Sequence, residues 1–347
     1  MDSSDTDAWK RKDAHLDLAK RADTQTPLAN HPLDAIELPH CALPELNLAD
    51  IRLHTEFLKK RLSMPLLITG MTGGTDRADG INLALAEIAE AEGLALGVGS
   101  QRAGLAIGRS QRKMRTLMPT TPLIGNLGGV QLAKPTGLDL AKRAIDDLEA
   151  DALAIHLNPL QEAAQAEGET DWRGILAAIE ALISTSPVPI MIKEVGAGLT
   201  AKISRQLAAI GVQILDIAGK GGTNWARIEA SRPEVADPHT QSYLAPFLDW
   251  GHTTADLLPS TRKACPDCWV IGSGGVRHGL DIARLLYLGA DMAGMAGPIL
   301  KALESDDLSL NKTAAADQIA LWRDQLRLAL FLTGNRSIKQ ISINIST

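Results

Sequence analysis

From residue 65 onward, short apolar runs alternate with longer segments in which apolar residues recur every three or four positions. The short runs predict buried strands, and the longer segments predict amphipathic helices. Two strands joined through one helix can pair only in parallel, so this alternation is typical of βα units. Eight strands are predicted, over residues 66–69, 94–98, 123–127, 152–157, 190–194, 213–217, 269–272 and 292–295. The pattern therefore predicts an α/β fold of the (β/α)8 TIM-barrel type.

The rest of the chain is predicted to form helices between the strands, one long connection and a segment at each end of the barrel. Helices are clearest over residues 80–92, 137–149, 172–183 and 199–210. A C-terminal helix follows, with one apolar stripe formed by Ile319, Trp322, Leu326 and Leu330. Residues 223–259 are long for a βα connection, which predicts a lid or an interface. Residues 1–63 lack the alternation, so we predict an N-terminal appendage there and a barrel with its C-terminal helix over 64–347.

Polar residues and glycines collect directly after every predicted strand. In chain order these segments are TGMTGG, GSQR, GNLGG, HLNPLQE, KE, AGKGGTNW, GSGGVR and AGP. In a (β/α)8 barrel the carboxyl ends of all strands meet at the face that carries the active site. Turn chemistry alone would place such residues equally at the opposite face. The pattern therefore favours an enzyme.

The last two of these turns favour a phosphate group as ligand. Gly274, Gly275 and Gly297 lie beside predicted helix starts and close to Arg277. Backbone N–H groups at helix starts attract anions, and late loops of barrels commonly hold phosphate. Two tight turns without a ligand would contain the same glycines. The presence of both turns together is what favours an anion cradle.

Composition narrows the class of protein and its partners. The chain has 347 residues, of which 45% are hydrophobic and 22% charged, with a formal net charge of −6. These values are ordinary for a globular protein, and the negative charge argues against nucleic acid as the main partner. The sequence contains neither a long apolar run nor a signal-peptide pattern, so we expect a cytoplasmic protein that does not enter a membrane.

The three cysteines, Cys41, Cys265 and Cys268, suit a reducing compartment. The CPDC segment could be a redox motif or half of a zinc site. However, no second pair of cysteines or histidines completes a tetrahedral site, so we expect no functional role for it.

Several motifs together resemble those of one known family. They are RKDAHLDL, TGMTGG, GSQR, HLNPLQEAAQAEG, IKEVGAG, GKGGTNWARIE and GSGGVR. Many flavin barrels share GSGGVR, whereas HLNPLQE together with RKDAH resembles specifically the type 2 isopentenyl diphosphate isomerases. The resemblance spans nearly the whole chain. It implies a (β/α)8 enzyme that interconverts isopentenyl and dimethylallyl diphosphate with reduced FMN and Mg²⁺, with NADPH as reductant and no net redox change. It also implies a homotetramer or homo-octamer.

Carried over residue by residue, the resemblance implies four kinds of site residue: catalytic, metal-binding, FMN-binding and substrate-binding. Gln161 would be catalytic, although an amide has no useful pKa near neutrality and suits positioning better than proton donation. Glu162, the only carboxylate in HLNPLQE, would bind Mg²⁺. FMN would contact Met71, Thr72, Gly73, Ser100, Asn126, Lys193, Thr223, Gly275, Val276, Arg277, Ala296 and Gly297. The substrate would contact Arg11, Lys12, His15, Ser100, Gln101, Arg102, His156, Asn158 and Gln161.

Some of these assignments have an independent physical reason. Lys193 ends the fifth predicted strand, where its charge can favour a reduced, anionic flavin. Arg277 and the glycine amides can hold a phosphate. Arg11 and His15 lie four positions apart on one face of a predicted helix, with Lys12 adjacent, and could bind an anion. A solvated basic helix would show the same pattern.

Three positions depart from the family pattern. Ala166 stands where proline is usual, Glu169 where aspartate is usual, and Ala218 where a hydroxyl residue is usual. The first two changes keep the charge of their loop. The third removes one possible hydrogen bond to the flavin, which we expect to weaken FMN binding by about 1 kcal/mol.

Three other functions are compatible with a barrel of this kind. An FMN oxidoreductase, such as a hydroxy-acid oxidase or a dihydroorotate-type dehydrogenase, would need a base beside the substrate carbon. A hydroxy-acid oxidase would show a His-x-x-Arg arrangement, which GKGGTNW does not contain. A nucleotide dehydrogenase of the inosine type would need a loop cysteine, and no cysteine follows a predicted strand. A barrel that binds phosphate or flavin without catalysis would not need Gln161, Glu162 and His156.

Overall fold

The structure of the protein is a computed structural model that describes residues 3–20, 31–71, 73–165, 167–232, 235, 237–305 and 307–341, with side chains described from Lys12 onward. The predicted contacts of the Arg11 side chain and of Thr72 lie outside the described residues, as does Ala166.

Eight parallel strands form a closed barrel in chain order, and the last strand pairs with the first. These strands are β3 (Leu66–Ile68), β4 (Ala95–Gly97), β5 (Leu123–Gly128), β6 (Ala152–His156), β7 (Ile190–Lys193), β8 (Ile214–Asp216), β9 (Trp269–Ser273) and β10 (Met292–Met295). They follow an antiparallel hairpin of β1 (Thr55–Phe57) and β2 (Lys60–Leu62). All eight predicted strands are confirmed to within one residue at each end, and so is the (β/α)8 fold class.

Helices surround the barrel. They are α1 (Ser3–Lys20), α2 (Asp76–Glu92), α3 (Arg102–Ala106), α4 (Lys113–Leu117), α5 (Gly129–Leu132), α6 (Gly137–Leu148), α7 (Pro159–Ala164), α8 (Ile175–Thr185), α9 (Ala201–Ala209), α10 (Trp225–Ala230), α11 (Pro238–Leu244), α12 (Thr254–Ala264), α13 (Gly279–Tyr287), α14 (Gly297–Leu303) and α15 (Lys312–Leu332). The predicted helices are present. α2 begins four residues earlier than predicted because Thr75 caps it by accepting a hydrogen bond from the Ala78 N–H.

The hairpin β1–β2 fills the amino end of the barrel. Phe57 and Leu62 are buried among residues from the starts of the barrel strands, such as Leu67 and Ile124. The rings of Phe57 and Trp269 lie 5.1 Å apart. With this end filled by apolar side chains, the space for ligands lies at the carboxyl end of the barrel. The division of the chain at residue 63 remains a prediction, and the first barrel strand begins at Leu66.

Helix α1 docks on the barrel through a cluster of charged residues. Glu304, whose side chain is fully buried, pairs with both Lys20 of α1 and Arg77 of α2. Arg77 also pairs with Asp17 of α1 at 2.8 Å. Leu16 and Ala19 add buried apolar contacts. Because the charges compensate one another, the cluster fixes the helix that carries the predicted substrate contacts Lys12 and His15.

Residues 223–259 form short helices rather than an open loop. α10 packs against α7, which carries Gln161, and the Asn224 side chain donates to the Leu248 carbonyl. Whether this segment acts as a lid or an interface remains a prediction. Among the described residues, no helix combines the length and apolar character needed to cross a membrane.

Candidate active site

Two cavities meet at the carboxyl end of the barrel. The polar cavity has a volume of about 140 Å³ and is lined largely by charged and amide side chains. The glycine cavity has a volume of about 420 Å³ and is lined largely by the glycine turns after β8, β9 and β10. Five residues line both: Gly70, Met71, Lys193, Val195 and Trp225. A molecule in one cavity would therefore touch a molecule in the other at this boundary.

The structure brings most of the predicted site residues to these cavities. The polar cavity is lined by Lys12, His15, Gly73, Ser100, Arg102, Asn126, His156, Asn158, Gln161 and Glu162. The glycine cavity is lined by Thr223, Gly275, Val276, Arg277, Ala296 and Gly297. Met71 and Lys193 line both. The predicted FMN contacts thus split between the two cavities, with Gly73, Ser100 and Asn126 on the polar side.

Gln101 is the exception among the described residues. Its side chain is buried, accepts a hydrogen bond from the Asn126 N–H at 3.0 Å and donates to the Ala144 carbonyl at 3.1 Å. Both ends of the amide are therefore used inside the fold, and the residue lines neither cavity. In this arrangement the Gln101 side chain holds the strand that carries Asn126, and its contact with the substrate remains a prediction.

The glycine cavity has the shape and donors that an FMN phosphate requires. Gly221, Gly274 and Gly275 adopt positive φ angles of 141°, 95° and 96°. A Cβ at Gly274 would lie 2.1 Å from the Gly219 carbonyl oxygen, so only glycine fits where the two turns approach each other. Backbone exposed in this way can approach a phosphate closely. The residues present therefore fit a flavin phosphate.

Arg277 is engaged by two carboxylates. Its guanidinium donates to Asp34 through both Nη atoms, at 2.9 and 2.5 Å, and to Asp281 through Nε at 2.8 Å. Asp281 is fully buried. A phosphate contact by the Arg277 side chain, as predicted, would have to compete with these carboxylates. The backbone N–H groups of the glycine turns do not face this competition, so they are the better donors to a phosphate than the Arg277 side chain.

Lys193 lies at the boundary of the cavities, with a buried side chain. Its Nζ donates to the Glu194 carbonyl at 2.7 Å. It pairs in register with Asp216 on β8, whose carboxylate accepts a hydrogen bond from Ser273. Burial raises the pKa of Asp216, and the charge of Lys193 acts in the opposite direction. Lys193 is the one cation among the residues shared by the two cavities.

His156 is neutral, and its tautomer follows from its neighbours. The Asn126 side-chain N–H donates to the Val98 carbonyl, which leaves the Asn126 Oδ1 to accept from His156 Nδ1 at 2.8 Å. His156 Nε2 is then a hydrogen-bond acceptor. Burial, reinforced by the charges of Lys193 and Arg102, lowers the pKa of His156 to about 3. His156 lines the polar cavity as predicted, but in this state it cannot donate to a diphosphate through Nε2.

Glu229, on α10, organises the catalytic candidate Gln161. Its fully buried carboxylate accepts from Gln161 Nε2 at 2.9 Å and from Gln165 Nε2 at 2.7 Å. Arg232 donates to its second oxygen at 3.0 Å, and His15 Nε2 lies 3.1 Å from the first. Burial would raise the pKa of Glu229, but the contacts with His15, Gln161 and Arg232 outweigh it and lower the pKa to about 2. Glu229 is therefore ionised.

Glu229 is not among the site residues predicted from the sequence. It belongs to the GKGGTNWARIE motif, but the motif gives no sign that α10 packs on α7. The Gln161 amide is fixed at its other end too, because Gln161 Oε1 accepts from Asn158 Nδ2 at 3.1 Å. This network fixes which end of the Gln161 amide faces which neighbour, and that supports a positioning role for the amide.

Glu162 is oriented by hydrogen bonds from its neighbours. Its two oxygens accept from Asn158 Nδ2 at 3.1 Å and from the Glu169 N–H at 2.9 Å. No cluster of three or more His, Cys, Asp or Glu side chains suitable for a metal occurs in the described ranges. Mg²⁺ is typically held by one or two carboxylates, with substrate phosphates and water completing the shell. A lone Glu162 in the cavity fits that mode of binding.

Two of the three positions that depart from the family pattern, Glu169 and Ala218, lie among the described residues. Glu169 pairs with Lys134 at 2.7 Å and lies 3.5 Å from Arg102, so it holds a cation of the polar cavity at the rim. Ala218 lines the glycine cavity with a positive φ of 43°. Its methyl group presents no hydrogen-bonding group there, as expected.

Cys265 and Cys268 lie on the amino side of β9, away from both cavities, and are buried. Burial raises the pKa of Cys268 to about 11, and its Sγ–H donates to the Val212 carbonyl. A thiol of this kind is unreactive near neutral pH. Their surroundings support a structural role.

Comparisons with known proteins show the family of the chain. Residues 130–346 match the family model of the FMN-dependent dehydrogenases. The chain is 45% identical over 341 residues to an isopentenyl-diphosphate delta-isomerase of Pseudescherichia vulneris, covering 96% of this chain and 94% of that protein. It is 43% identical over 340 residues to the enzyme of the same name from Cronobacter sakazakii, covering 97% and 96%.

Among solved structures, mandelate oxidase with benzoyl-formic acid superposes with a TM-score of 0.65 over 98% of this chain and 96% of that one, at 16% identity. At that identity the likeness shows a shared fold alone. The family model and the relatives, which span nearly the whole chain, show more. The chain belongs to the type 2, FMN-dependent isopentenyl-diphosphate delta-isomerases.

Proposed function

We propose that the chain interconverts isopentenyl and dimethylallyl diphosphate, with reduced FMN in the glycine cavity and the substrate in the polar cavity. The observation that carries this proposal is the meeting of the two cavities at Met71, Lys193 and Trp225. One cavity suits a flavin phosphate. The other combines cations for a diphosphate with the Gln161 network.

The substrate's diphosphate would be bound by cations at the wall of the polar cavity. Lys12 and Arg102 line it, and Arg11 is proposed to join them from helix α1. Glu162 would hold Mg²⁺ between its carboxylate and the phosphate oxygens. Charge-assisted contacts of this kind are about twice as strong as neutral hydrogen bonds, so they can fix the anionic end firmly.

The hydrocarbon end would lie at the boundary of the cavities. Met71, Val195 and Trp225 offer apolar surface there, which suits a short branched alkene. His15 packs its ring edge-on against Trp225 at 5.6 Å, which holds the indole in place. Fixing both ends of the substrate places the reacting carbons beside the flavin site.

Isomerisation requires one proton to reach the terminal alkene carbon and another to leave the neighbouring methylene. When bound, reduced FMN supplies a group that can exchange a proton with the substrate. Gln161 is proposed to position the substrate, because Glu229 and Asn158 fix its amide from both ends. Lys193 would hold positive charge beneath the flavin and so favour its reduced, anionic form.

The enzyme would also need a source of electrons for FMN and would assemble from several copies of the chain. NADPH is proposed as the source of the electrons that reduce FMN before catalysis. We also propose a cytoplasmic homotetramer or homo-octamer, in line with the family resemblance. Residues 223–259 are the candidate for an interface or a lid.

The proposal is tested by following isopentenyl diphosphate by NMR under anaerobic conditions, with FMN-loaded protein and Mg²⁺, before and after reduction. Conversion to dimethylallyl diphosphate only after reduction is the expected result. Absence of conversion by the reduced, FMN-bound protein would rule the function out.

A further inference from the structure

A short segment of the N-terminal appendage lies directly behind the glycine cavity. It comprises His31 and the 3₁₀ turn Pro32–Ala35, which packs against α12 and α13. Leu33 is buried and anchors the turn in the main core. None of these residues lines the cavity itself. They form a back wall to the turns that do.

Asp34 ties this back wall to the turn and helix after β9. Its carboxylate accepts from both Nη atoms of Arg277 and, at 3.0 Å, from Arg284 Nη1. Asp281 bridges the same two arginines from the inside. Arg284 also donates to the Ile36 carbonyl at 3.2 Å. Two arginines and two aspartates thus form a charge-neutral cluster that joins the appendage to the turn after β9.

His31 links the turns after β8 and β9. Its Nδ1 accepts a hydrogen bond from the Leu33 N–H, so Nε2 carries the proton and donates to the Gly221 carbonyl at 3.2 Å. The same ring covers Gly275, where an added Cβ would lie 2.8 Å from His31 Nε2. His31 therefore touches both glycine turns at once.

The glycine turns need support of this kind. Gly221, Gly274 and Gly275 have positive φ angles and no side chains of their own with which to pack. Glycine backbone is conformationally permissive, so a cradle made from it loses more entropy on ordering than one made from other residues. Contacts that hold the turns in place before the ligand binds reduce that cost.

We propose that His31 and Asp34 are positioning residues for the phosphate group of FMN, and that they act by holding the two glycine turns in the phosphate-binding arrangement from behind. This inference rests on the proposed FMN site in the glycine cavity. It concerns the phosphate end alone, because the back wall contacts the turns after β8 and β9 and not the boundary with the polar cavity.

Riboflavin provides the discriminating probe, since it has the ring and ribityl chain of FMN but no phosphate. Apoprotein is titrated with FMN and with riboflavin, for wild type and for Asp34→Asn. We expect FMN to bind about tenfold more weakly to the variant, which corresponds to the loss of about one well-made interaction. Riboflavin affinity is expected to stay unchanged.

Two further variants complete the experiment. His31→Ala removes the bond to Gly221 without altering the Arg277 cluster, and the same selective loss of FMN affinity is expected, so the test does not depend on Asp34→Asn folding well. Asp171→Asn is the matched control, because Asp171 forms a bidentate pair with Arg173 on the exposed surface. It should bind both flavins like wild type.

The proposal is overturned if the two back-wall variants bind FMN like wild type, or if they lose FMN and riboflavin equally. Tighter FMN binding by Asp34→Asn would also overturn it, because Asp34 would then be a competitor of the phosphate for Arg277. If the wild type binds FMN and riboflavin equally well, the proposed phosphate site in the glycine cavity is also wrong. The isomerase assay tests the proposed function independently of all these outcomes.

Discussion

Replacing Glu229 by glutamine tests whether the network around Gln161 matters for catalysis. The variant keeps the size of the side chain and removes its charge. In the wild type the fully buried Glu229 carboxylate accepts hydrogen bonds from Gln161, Gln165 and Arg232, at donor–acceptor distances of 2.7 to 3.0 Å. A neutral amide has a single acceptor oxygen and an NH₂ group, which would have to face donors. The Gln161 amide should therefore lose its fixed orientation.

The expected decrease in kcat follows from the loss of the charged hydrogen-bond acceptor. A hydrogen bond to a charged partner contributes about 1.5 to 3 kcal/mol, against about 1 kcal/mol for a neutral pair. Losing roughly 1 to 2 kcal/mol in the transition state lowers kcat by about fivefold to thirtyfold. Arg232 is nearly buried and would lose a buried carboxylate partner, so the variant should also be less stable, by up to about 3 kcal/mol.

The assay measures kcat and KM for isopentenyl diphosphate, FMN affinity and the free energy of unfolding on the same preparation. We expect kcat to fall with FMN affinity unchanged. Glu90→Gln is the matched control, because Glu90 also accepts several hydrogen bonds, from Thr120 and Thr121, but lines neither cavity. A folded, FMN-bound Glu229→Gln enzyme with wild-type kcat/KM would refute the reasoning.

Three further predictions concern single residues. Glu162→Gln should raise the Mg²⁺ concentration needed for half-maximal activity far more than it changes FMN affinity, because a neutral amide is a poorer ligand for a hard cation; equal effects on both would place Glu162 elsewhere. Arg11→Ala should raise KM roughly tenfold or more with an unchanged flavin spectrum, and unchanged kinetics would mean a surface role. The free energy of unfolding should fall as the pH drops from 6.5 towards about 3, because His156 takes up a proton in the unfolded chain but stays neutral in the folded one. Denaturant titrations at a series of pH values should show a flatter dependence in this range for His156→Gln.

The fold was predictable because its signals are local. Each buried strand appears as a short apolar run, and each βα turn carries its own glycines, so the barrel could be counted along the chain. The apolar pattern does not reveal the start of α2, because Thr75 and Asp76 lie in a polar stretch. Only the hydrogen bond from the Ala78 N–H to Thr75 identifies that cap.

Residues of the candidate site were predictable where they stand at the carboxyl ends of strands, as His156 does on β6 and Lys193 on β7. They were not predictable where distant segments meet. Glu229 acts through the packing of α10 on α7, and Asp34 lies 243 positions from Arg277 in the sequence. Gln101 follows a strand like its neighbours but turns inward to Ala144. The tautomer of His156 depends on Asn126 and on a backbone carbonyl, and no motif encodes such a relation.

The central claim is that this barrel uses reduced FMN for isomerisation and not for oxidation or reduction of its substrate. The most direct measurement follows NADPH consumption and dimethylallyl diphosphate formation together, under anaerobic conditions, with FMN-loaded protein. We predict that NADPH consumption stops after about one equivalent per bound flavin, while many equivalents of product continue to form. Consumption of one NADPH for each product molecule, or no product from fully reduced protein, would contradict the account.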